Sequence, residues 1–209
     1  MELTDLYLRS QSLQVSEECV REFGLDDRDW ILRLIPRNSI GAEIGVFTGM
    51  FSEKILTIVE PQQLYLVDWW EAQGEYFGDW GKYTDFGRLK TSDAKDAVRL
   101  RADKYGRPGT VQIIESESID WLSRQGDASL DWVYLDTDHK YEQTLREIRM
   151  AVTKLKPGGM ILGDDWYPDY GHIHSGVMLA VNDFVRESDF DILTAGRANQ
   201  WMIIKRQII

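Results

Sequence analysis

Short apolar runs alternate with stretches of helical periodicity along most of this chain. The predicted strands are 39–46, 64–68, 110–114, 131–136 and 159–163, and the predicted helices are about 50–59, 88–105, 119–124, 141–155 and 176–187. A strand–helix–strand order is typical of a mostly parallel sheet that is covered by helices on both faces. Two further apolar runs, 191–194 and 200–204, predict a closing antiparallel hairpin.

These patterns predict a doubly wound, mostly parallel, Rossmann-like α/β domain over residues 37–209. Residues 1–36 carry helical signals but no strand, and we expect them to form a helical cap or lid of the same domain. Residues 69–87 are aromatic and rich in glycine without a clear period. A loop of that length inside a compact domain is more often functional than incidental.

The composition argues against several classes of partner. The 209 residues carry a net charge of −11 and no basic run, whereas binding of nucleic acid needs a basic face. No apolar stretch approaches bilayer-spanning length, and the start lacks the features of a signal peptide. A lone cysteine, Cys19, rules out an intramolecular disulfide framework and fits a reducing compartment. We therefore expect a cytoplasmic protein without membrane insertion, and a homodimer is left open.

Three acidic residues follow the ends of two predicted neighbouring strands. Asp136 ends strand 131–136, and Asp164 and Asp165 come directly after strand 159–163. In an open α/β sheet such strand tips converge on one crevice, where three carboxylates suit a hard cation such as Mg²⁺. The alternative is that the adjacent pair caps a turn before Trp166. Since neighbouring carboxylates need a counter-charge, we favour the metal interpretation.

A glycine-containing turn follows the first predicted strand. Its acid and glycines, Glu43, Gly45 and Gly49, lack the spacing of a dinucleotide site and the lysine of a Walker motif, but match the turn of S-adenosylmethionine (SAM) enzymes. Gly45 would let the backbone approach a ligand closely, and Glu43 would face the amino-acid part of SAM. A tight strand–helix connection is the alternative.

Two further strand ends offer polar groups to the same crevice. Asp68 ends the second strand, where an acid can accept hydrogen bonds from both ribose hydroxyls; a solvated acid or a helix cap is the alternative. The third strand leads to Ser116 and Ser118. Either serine could lie at the adenine edge or act as the N-cap of the short helix that follows.

Together these segments resemble the successive motifs of class I SAM-dependent methyltransferases. The matching segments are Glu43 to Gly49, Leu66 to Asp68, Val111 to Ile114 with Ser118, and Leu155 to Gly159. The stretch Asp131 to Glu142 contains Asp-x-Asp-His-x-Tyr-Glu, which resembles a metal-dependent O-methyltransferase branch with macrocin-type sugar enzymes and, more distantly, catechol O-methyltransferase. Residues 164–184 fit the same branch. The resemblance spans roughly residues 39–205.

The resemblance implies roles for individual residues. SAM contacts are implied for Glu43, Gly45, Thr48, Gly49, Asp68, Ser118 and Asp136, and Mg²⁺ ligation for Asp136, Asp164 and Asp165. His139 matches the general base of the family, and a histidine that titrates near neutral pH can take a hydroxyl proton. The alternatives for His139 are a residue that only orients a ligand and a surface histidine.

Two loop histidines and several tryptophans bear on the acceptor. His172 and His174 could suggest zinc, but neither a cysteine nor a third histidine supports it, so we expect them to border the acceptor pocket or decorate a loop. The tryptophans expected in crevice loops are Trp69, Trp70, Trp80 and Trp166, and those expected in the core are Trp30, Trp121 and Trp132.

The predicted function is metal-dependent methyl transfer from SAM to a hydroxyl of a small molecule. Tryptophan faces stack on a sugar ring or on a phenol, and both a sugar diol and a catechol offer vicinal oxygens to a metal. The resemblance favours a sugar, in a glycan or a glycosylated metabolite. The alternatives are a catechol or phenol acceptor and a non-catalytic SAM-binding module. A nicotinamide-dependent oxidoreductase is disfavoured by the missing dinucleotide motif.

Overall fold

The computed structural model describes residues 3–22 and 24–206, which form seven strands and seven α-helices. The strands are β1 (Ile40–Ile44), β2 (Gln63–Asp68), β3 (Val111–Glu115), β4 (Leu130–Leu135), β5 (Leu155–Gly163), β6 (Phe190–Ala195) and β7 (Trp201–Lys205). The helices are α1 (Leu3–Glu22), α2 (Leu25–Leu32), α3 (Met50–Ile58), α4 (Thr91–Tyr105), α5 (Ser118–Arg124), α6 (Tyr141–Lys154) and α7 (Ser175–Glu187). Three short 3-10 helices are Trp70–Gln73, Gly81–Thr84 and Arg197–Asn199.

All seven strands belong to one sheet with the order β3-β2-β1-β4-β5-β7-β6. The first five strands of the chain pair in parallel, and β7 pairs antiparallel with both β5 and β6. The predicted doubly wound sheet with a C-terminal antiparallel hairpin is therefore confirmed. The direction of chain progression reverses between β1 and β4, so the carboxyl ends of these two strands flank the crevice in which such sheets bind ligands.

Two hydrophobic cores cover the two faces of the sheet. Successive side chains of a strand point to opposite faces, so Leu66 packs with α3 and α4 whereas Val67 packs with helices of the other layer. The first core includes Ile55 of α3 and Val98 of α4, and the second includes Ile148 of α6. Both faces are buried, which explains why the strands read as nearly continuous apolar runs.

Two element boundaries differ from the prediction by three residues or more. Strand β5 begins at Leu155 instead of residue 159, because Leu155 pairs with Leu130 before the register shifts within the β4–β5 pair. Helix α4 begins at Thr91 instead of residue 88, because Lys90 forms an isolated bridge with Tyr76 and leaves the preceding residues in the loop.

Helix α1 lies on the aromatic segment 69–87. Ser12 of α1 donates a hydrogen bond to Asp85 over 2.7 Å, and Ser16 donates one to the carbonyl of Tyr83. The division into a cap over 1–36 and a domain over 37–209 stays a prediction, and residues 1, 2, 23 and 207–209 lie outside the described part. Within the described residues, no helix has the length and apolar character to cross a membrane.

Gly41 in β1 offers a test of the close packing between β1 and β4. A Cβ atom there would lie 2.0 Å from the ring of Trp132, which is fully buried and held through its indole nitrogen by Ser39. We expect Gly41→Ala to lower the free energy of unfolding by about 1–3 kcal/mol through overpacking. Urea denaturation measures the difference in free energy of unfolding between this variant and the parent chain.

Gly126→Ala is the matched control, since the nearest atom to its added Cβ would be 4.0 Å away. Its stability should stay within about 0.5 kcal/mol of the parent chain. Equal stability of the two variants would contradict the described packing.

Candidate active site

Three carboxylates meet at the carboxyl ends of β4 and β5. The backbone N–H of Asp136 donates to Ile44 of β1 over 2.8 Å, and that of Asp164 donates to Leu135 of β4 over 3.2 Å, so adjacent strands align the two acids. Asp165 has a φ of 63°, which turns its side chain to a different partner from that of Asp164. The three side chains offer oxygens that lie within 4.8 Å of one another.

The counter-charge for two of these acids comes from helix α2. The Nη1 atom of Arg28 lies 2.5 Å from Oδ2 of Asp164 and 3.6 Å from Oδ2 of Asp136. Burial lowers the pKa of Arg28, but the negative charges of Asp164 and Asp136 raise the pKa by more than burial lowers it. The guanidinium therefore stays charged. A residue of the N-terminal segment therefore completes the crevice.

Asp164 is bound on its other oxygen as well. Gln200, fully buried at the start of β7, donates from Nε2 to Oδ1 of Asp164 over 2.5 Å and accepts a hydrogen bond from the hydroxyl of Tyr134 over 2.6 Å. The side chain of Asp164 is only 3% exposed. Burial raises the pKa of Asp164 well above its usual range, and Asp136 adds to the increase while Arg28 opposes it.

Asp165 holds two histidines. His139 donates from Nδ1 to Oδ2 of Asp165 over 2.7 Å, and His174 donates from Nδ1 to Oδ1 over 2.9 Å. Burial would raise the pKa of Asp165, but the hydrogen bonds and charges of the two histidines lower it to about 2. Because an ionised carboxylate can only accept, both Nδ1 atoms carry protons.

The surroundings of His139 raise its pKa above the ordinary value of a histidine. Burial lowers the pKa of His139, but its hydrogen bond to Asp165 and the charge of Asp136 raise it to about 9. In the described arrangement His139 is therefore protonated at neutral pH and has to lose that proton before it can act as a base.

The loop histidines are not equivalent. His172 accepts a hydrogen bond at Nδ1 from the backbone N–H of His174 over 3.1 Å and stacks on Tyr167 with ring centroids 3.6 Å apart. The ring of His174 instead lies 4.4 Å from that of His139 and bonds Asp165. His174 thus belongs to the acidic crevice, although the sequence indicated only the border of a pocket or a loop.

The predicted Mg²⁺ ligands fit a cation only in part. The oxygen donors of Asp136, Asp164 and Asp165 are the type that Mg²⁺ prefers. However, both oxygens of Asp164 are already bound, and the charge of Arg28 lies where a dication would compensate Asp136 and Asp164. This set can hold a metal only if Arg28 moves away.

The predicted cofactor turn lies beside the acids. Gly45 has a φ of 88°, and a Cβ atom there would lie 1.7 Å from the carbonyl oxygen of Asp136. The atom that comes close to Gly45 is therefore the carbonyl oxygen of Asp136 at the end of β4, whereas we had expected a ligand atom there. Gly49 begins α3 with a φ of 78°, and Thr48 beside it is buried. The predicted contacts of Gly45, Thr48 and Gly49 with SAM stay predictions.

Asp68 holds the backbone of that turn in place through hydrogen bonds. Its Oδ2 accepts hydrogen bonds from the backbone N–H groups of Val46 and Phe47, each over 2.7 Å, and its Oδ1 accepts one from Trp69 over 2.5 Å. A carboxylate has roughly four acceptor sites, and three are in use. The predicted contact of Asp68 with the two ribose hydroxyls stays a prediction.

Glu43 is almost fully buried in β1. Its carboxyl group accepts a hydrogen bond from the hydroxyl of Ser52 in α3. Burial raises the pKa of Glu43 well above its usual range, Ser52 opposes the increase, and Asp136 and Asp68 add to it. Glu43 is therefore a buried acid next to the turn, whose predicted contact with SAM stays a prediction.

Neither serine after β3 caps α5. The N-cap residue is Glu117, which makes no side-chain cap, so the capping alternative for Ser116 and Ser118 is wrong. Ser118 is buried and accepts a hydrogen bond from Gln143 of α6 over 3.0 Å. Its contact with SAM stays a prediction.

The predicted crevice tryptophans divide into two groups. Trp70 is fully buried and donates from its indole nitrogen to the carbonyl of Phe47 over 2.8 Å, so it supports the cofactor turn and does not line a pocket. Trp69 and Trp80 are exposed, and Trp166 is half-buried. Trp121 and Trp132 are core residues, as predicted, whereas Trp30 is half-buried beneath the guanidinium of Arg197.

Comparison with known proteins identifies related folds. A family model described as "Methyltransferase domain" matches residues 42–166. No curated protein sequence matches the chain at a significant level. Solved structures with a similar fold include a protein from Corynebacterium glutamicum, with 14% identity, a TM-score of 0.66 and coverage of 95% of this chain and 91% of that one.

Two further solved structures are similar. A cofactor-bound protein from MTB has 14% identity and a TM-score of 0.62, and the match covers 96% of this chain and 90% of that one. A SAM-dependent methyltransferase from Aquifex aeolicus has 14% identity and a TM-score of 0.52, with coverage of 91% and 88%.

Removal of the Arg28 charge should destabilise the fold. We expect Arg28→Gln to lower the free energy of unfolding by on the order of 3 kcal/mol at neutral pH, because buried Asp164 would lose its counter-charge. Arg33→Gln is the matched control, since Arg33 follows the same helix and is exposed. Urea denaturation of both variants measures the effect, and equal stability would contradict the role of Arg28.

Glu43 should make stability depend on pH. Its folded pKa lies above the ordinary value of 4.5, so ionisation favours the unfolded chain as pH rises from about that value toward the folded pKa. We expect Glu43→Gln to gain stability relative to the parent chain over that range and to show no gain below it. Denaturation curves between pH 4 and 8 measure this, with exposed Glu142→Gln as the control. A difference that does not change with pH would refute it.

Proposed function

We propose that this chain, which belongs to the family of methyltransferase domains, transfers the methyl group of SAM to a hydroxyl oxygen of a small molecule. The observation that carries the proposal is the acidic crevice. Asp136, Asp165 and His139 lie there beside the glycine turn, at the point where the strand order reverses. The SAM-dependent methyltransferase from Aquifex aeolicus has the same fold and supports this choice of methyl donor.

The residues of the turn would bind the donor. Bound SAM supplies an electrophilic methyl group. Asp68 has one acceptor site left for a ribose hydroxyl and keeps the backbone of Val46 and Phe47 in place. Glu43 and Asp136 lie beside the turn and would offer carboxyl oxygens to the amino-acid part of the cationic donor.

The acids and the histidine would prepare the acceptor. A divalent cation, Mg²⁺ in the resembling branch, would supply a Lewis acid that lowers the pKa of the attacking hydroxyl. Its predicted ligands Asp136, Asp164 and Asp165 become available together only when Arg28 leaves Asp164. His139 is the candidate base, and Asp165 orients its ring from Nδ1, so that Nε2 is the atom that would take the acceptor proton.

A sugar hydroxyl is the proposed acceptor. The exposed faces of Trp69 and Trp80 lie on the segment after β2, on the same side of the sheet as the turn. Trp80 packs 6.2 Å from Phe47 of the turn, centroid to centroid, so an acceptor near the methyl group would meet aromatic surface. Such surface favours sugar rings and planar phenols alike, and a catechol is therefore the alternative.

Titration with SAM and its demethylated product tests the proposal. We expect binding to the parent chain by calorimetry and a loss of at least about tenfold in affinity for Asp68→Asn, since both a ribose contact and the turn depend on that carboxylate. Exposed Asp120→Asn is the matched control and should bind normally. No binding of either ligand to the parent chain would overturn the assignment.

Methyl transfer from labelled SAM to sugar diols and catechols then decides the acceptor class. Transfer selective for catechols would replace the sugar proposal. Tight binding of SAM without transfer to any hydroxyl acceptor would favour the non-catalytic SAM-binding module.

A further inference from the structure

All three histidines of the chain lie near Asp165. The rings of His139 and His172 both lie beside the ring of His174. Two of them, His139 and His174, come from different loops and bind the two oxygens of Asp165 over 2.7 and 2.9 Å. Donor atoms of these three side chains lie within 4.8 Å of one another. The sequence separates the two histidines widely, and only the fold brings them to one point.

We propose that His139, Asp165 and His174 form a binding site for a borderline first-row divalent metal ion such as Zn²⁺ or Co²⁺. Two ligand atoms about 2.1 Å from one ion lie about 3.0 Å apart at an octahedral angle and about 3.4 Å apart at a tetrahedral one, so the nitrogen–oxygen distances of 2.7 and 2.9 Å need to widen only by tenths of an ångström to admit an ion. The ion would take the place of the two Nδ1 protons, which are released to solvent on binding.

The ligand types select the metal. Two imidazoles and one carboxylate suit Zn²⁺, Co²⁺ or Fe²⁺, whereas Mg²⁺ prefers oxygen donors alone. In the set of three carboxylates, the negative charge of Asp164 and Asp136 is already compensated by Arg28, which lies 2.5 Å from Asp164 and 3.6 Å from Asp136. The carboxylate of Asp165 already contacts the two histidines that would become its fellow ligands.

The fold holds the two histidine loops at a fixed separation. A Cβ atom on Gly176, which follows the His174 loop, would lie 2.9 Å from the carbonyl oxygen of His139 and 2.6 Å from the backbone nitrogen of Tyr141. The start of α7 therefore rests directly on the backbone of the His139 turn. Such support from packed elements is what a preformed metal site requires.

Three protein ligands leave coordination positions open, as in catalytic zinc sites. This part rests on the proposed function: vicinal oxygens of the acceptor would take the open positions, and His139 would be a ligand and not the base. The ion itself would then lower the pKa of the hydroxyl, and the proton of that hydroxyl would pass to solvent water. Metal binding can be measured without SAM and without an acceptor, so the inference and the proposed function can fail separately.

Co²⁺ is the probe, because its visible absorption reports its ligands. Chain without a histidine tag is freed of metal and titrated with Co²⁺ and, separately, with Mg²⁺ by calorimetry. We expect Co²⁺ to bind more tightly than Mg²⁺ and to show bands of nitrogen ligation. His174→Ala should weaken Co²⁺ binding at least about tenfold, since even the loss of groups that only orient ligands costs that much.

His172→Ala is the matched control, because His172 lies two residues away in the same loop and faces Tyr167. It should bind Co²⁺ like the parent chain. Equal losses in the two variants, tighter binding of Mg²⁺ than Co²⁺, or no binding of Co²⁺ would each overturn the proposal.

Asp164→Asn separates the two ligand sets, and circular dichroism checks that every variant folds. Co²⁺ binding that is lost in Asp164→Asn but kept in His174→Ala would assign the ion to the carboxylate set and refute the histidine site. The bands of the parent chain test nitrogen ligation even if a variant fails to fold.

Discussion

The compensation of negative charge at the ends of β4 and β5 is the constraint on which the rest of the site depends. Three carboxylates stand there within reach of one another, and a buried acid without a partner would be costly. Arg28 compensates one side of the group, and His139 with His174 compensates the other. The positions of α2, of the His139 turn and of the loop before α7 all follow from this need.

The two adjacent acids have separate partners because of one backbone feature. The positive φ at Asp165 reverses the chain after β5, so Asp164 points into the interior toward Gln200 and Asp165 points toward the histidines. One oxygen cluster is thereby divided into a part balanced by a permanent cation and a part balanced by groups that can give up protons. Of these two parts, only the one that contains the histidines can exchange protons for a metal ion without breaking a contact of Arg28.

The fold was predictable from the sequence because periodicity reflects burial, and the central strands β1 and β4 are buried along most of their length. The meeting of Asp136 with Asp164 and Asp165 followed from the same pattern, since they end neighbouring strands. Arg28 was not predictable: the acids indicated that a cation was needed, but nothing distinguishes this one among 24 lysines and arginines. Trp70 and Trp80 look alike in the sequence, yet Trp70 is fully buried and bonded to the carbonyl of Phe47, whereas Trp80 is 54% exposed.

The contact of Arg28 with Asp164 also bears on where the functional unit begins. The family match starts at residue 42, after both N-terminal helices, and ends at residue 166, before β7. An excised fragment with those limits would carry all three aspartates and His139 but not Arg28, His174 or Gln200, and would therefore lack most of the partners that neutralise and orient its acidic residues. In electrostatic terms the smallest self-sufficient piece of this protein extends from α2 to β7, beyond the limits that sequence similarity gives.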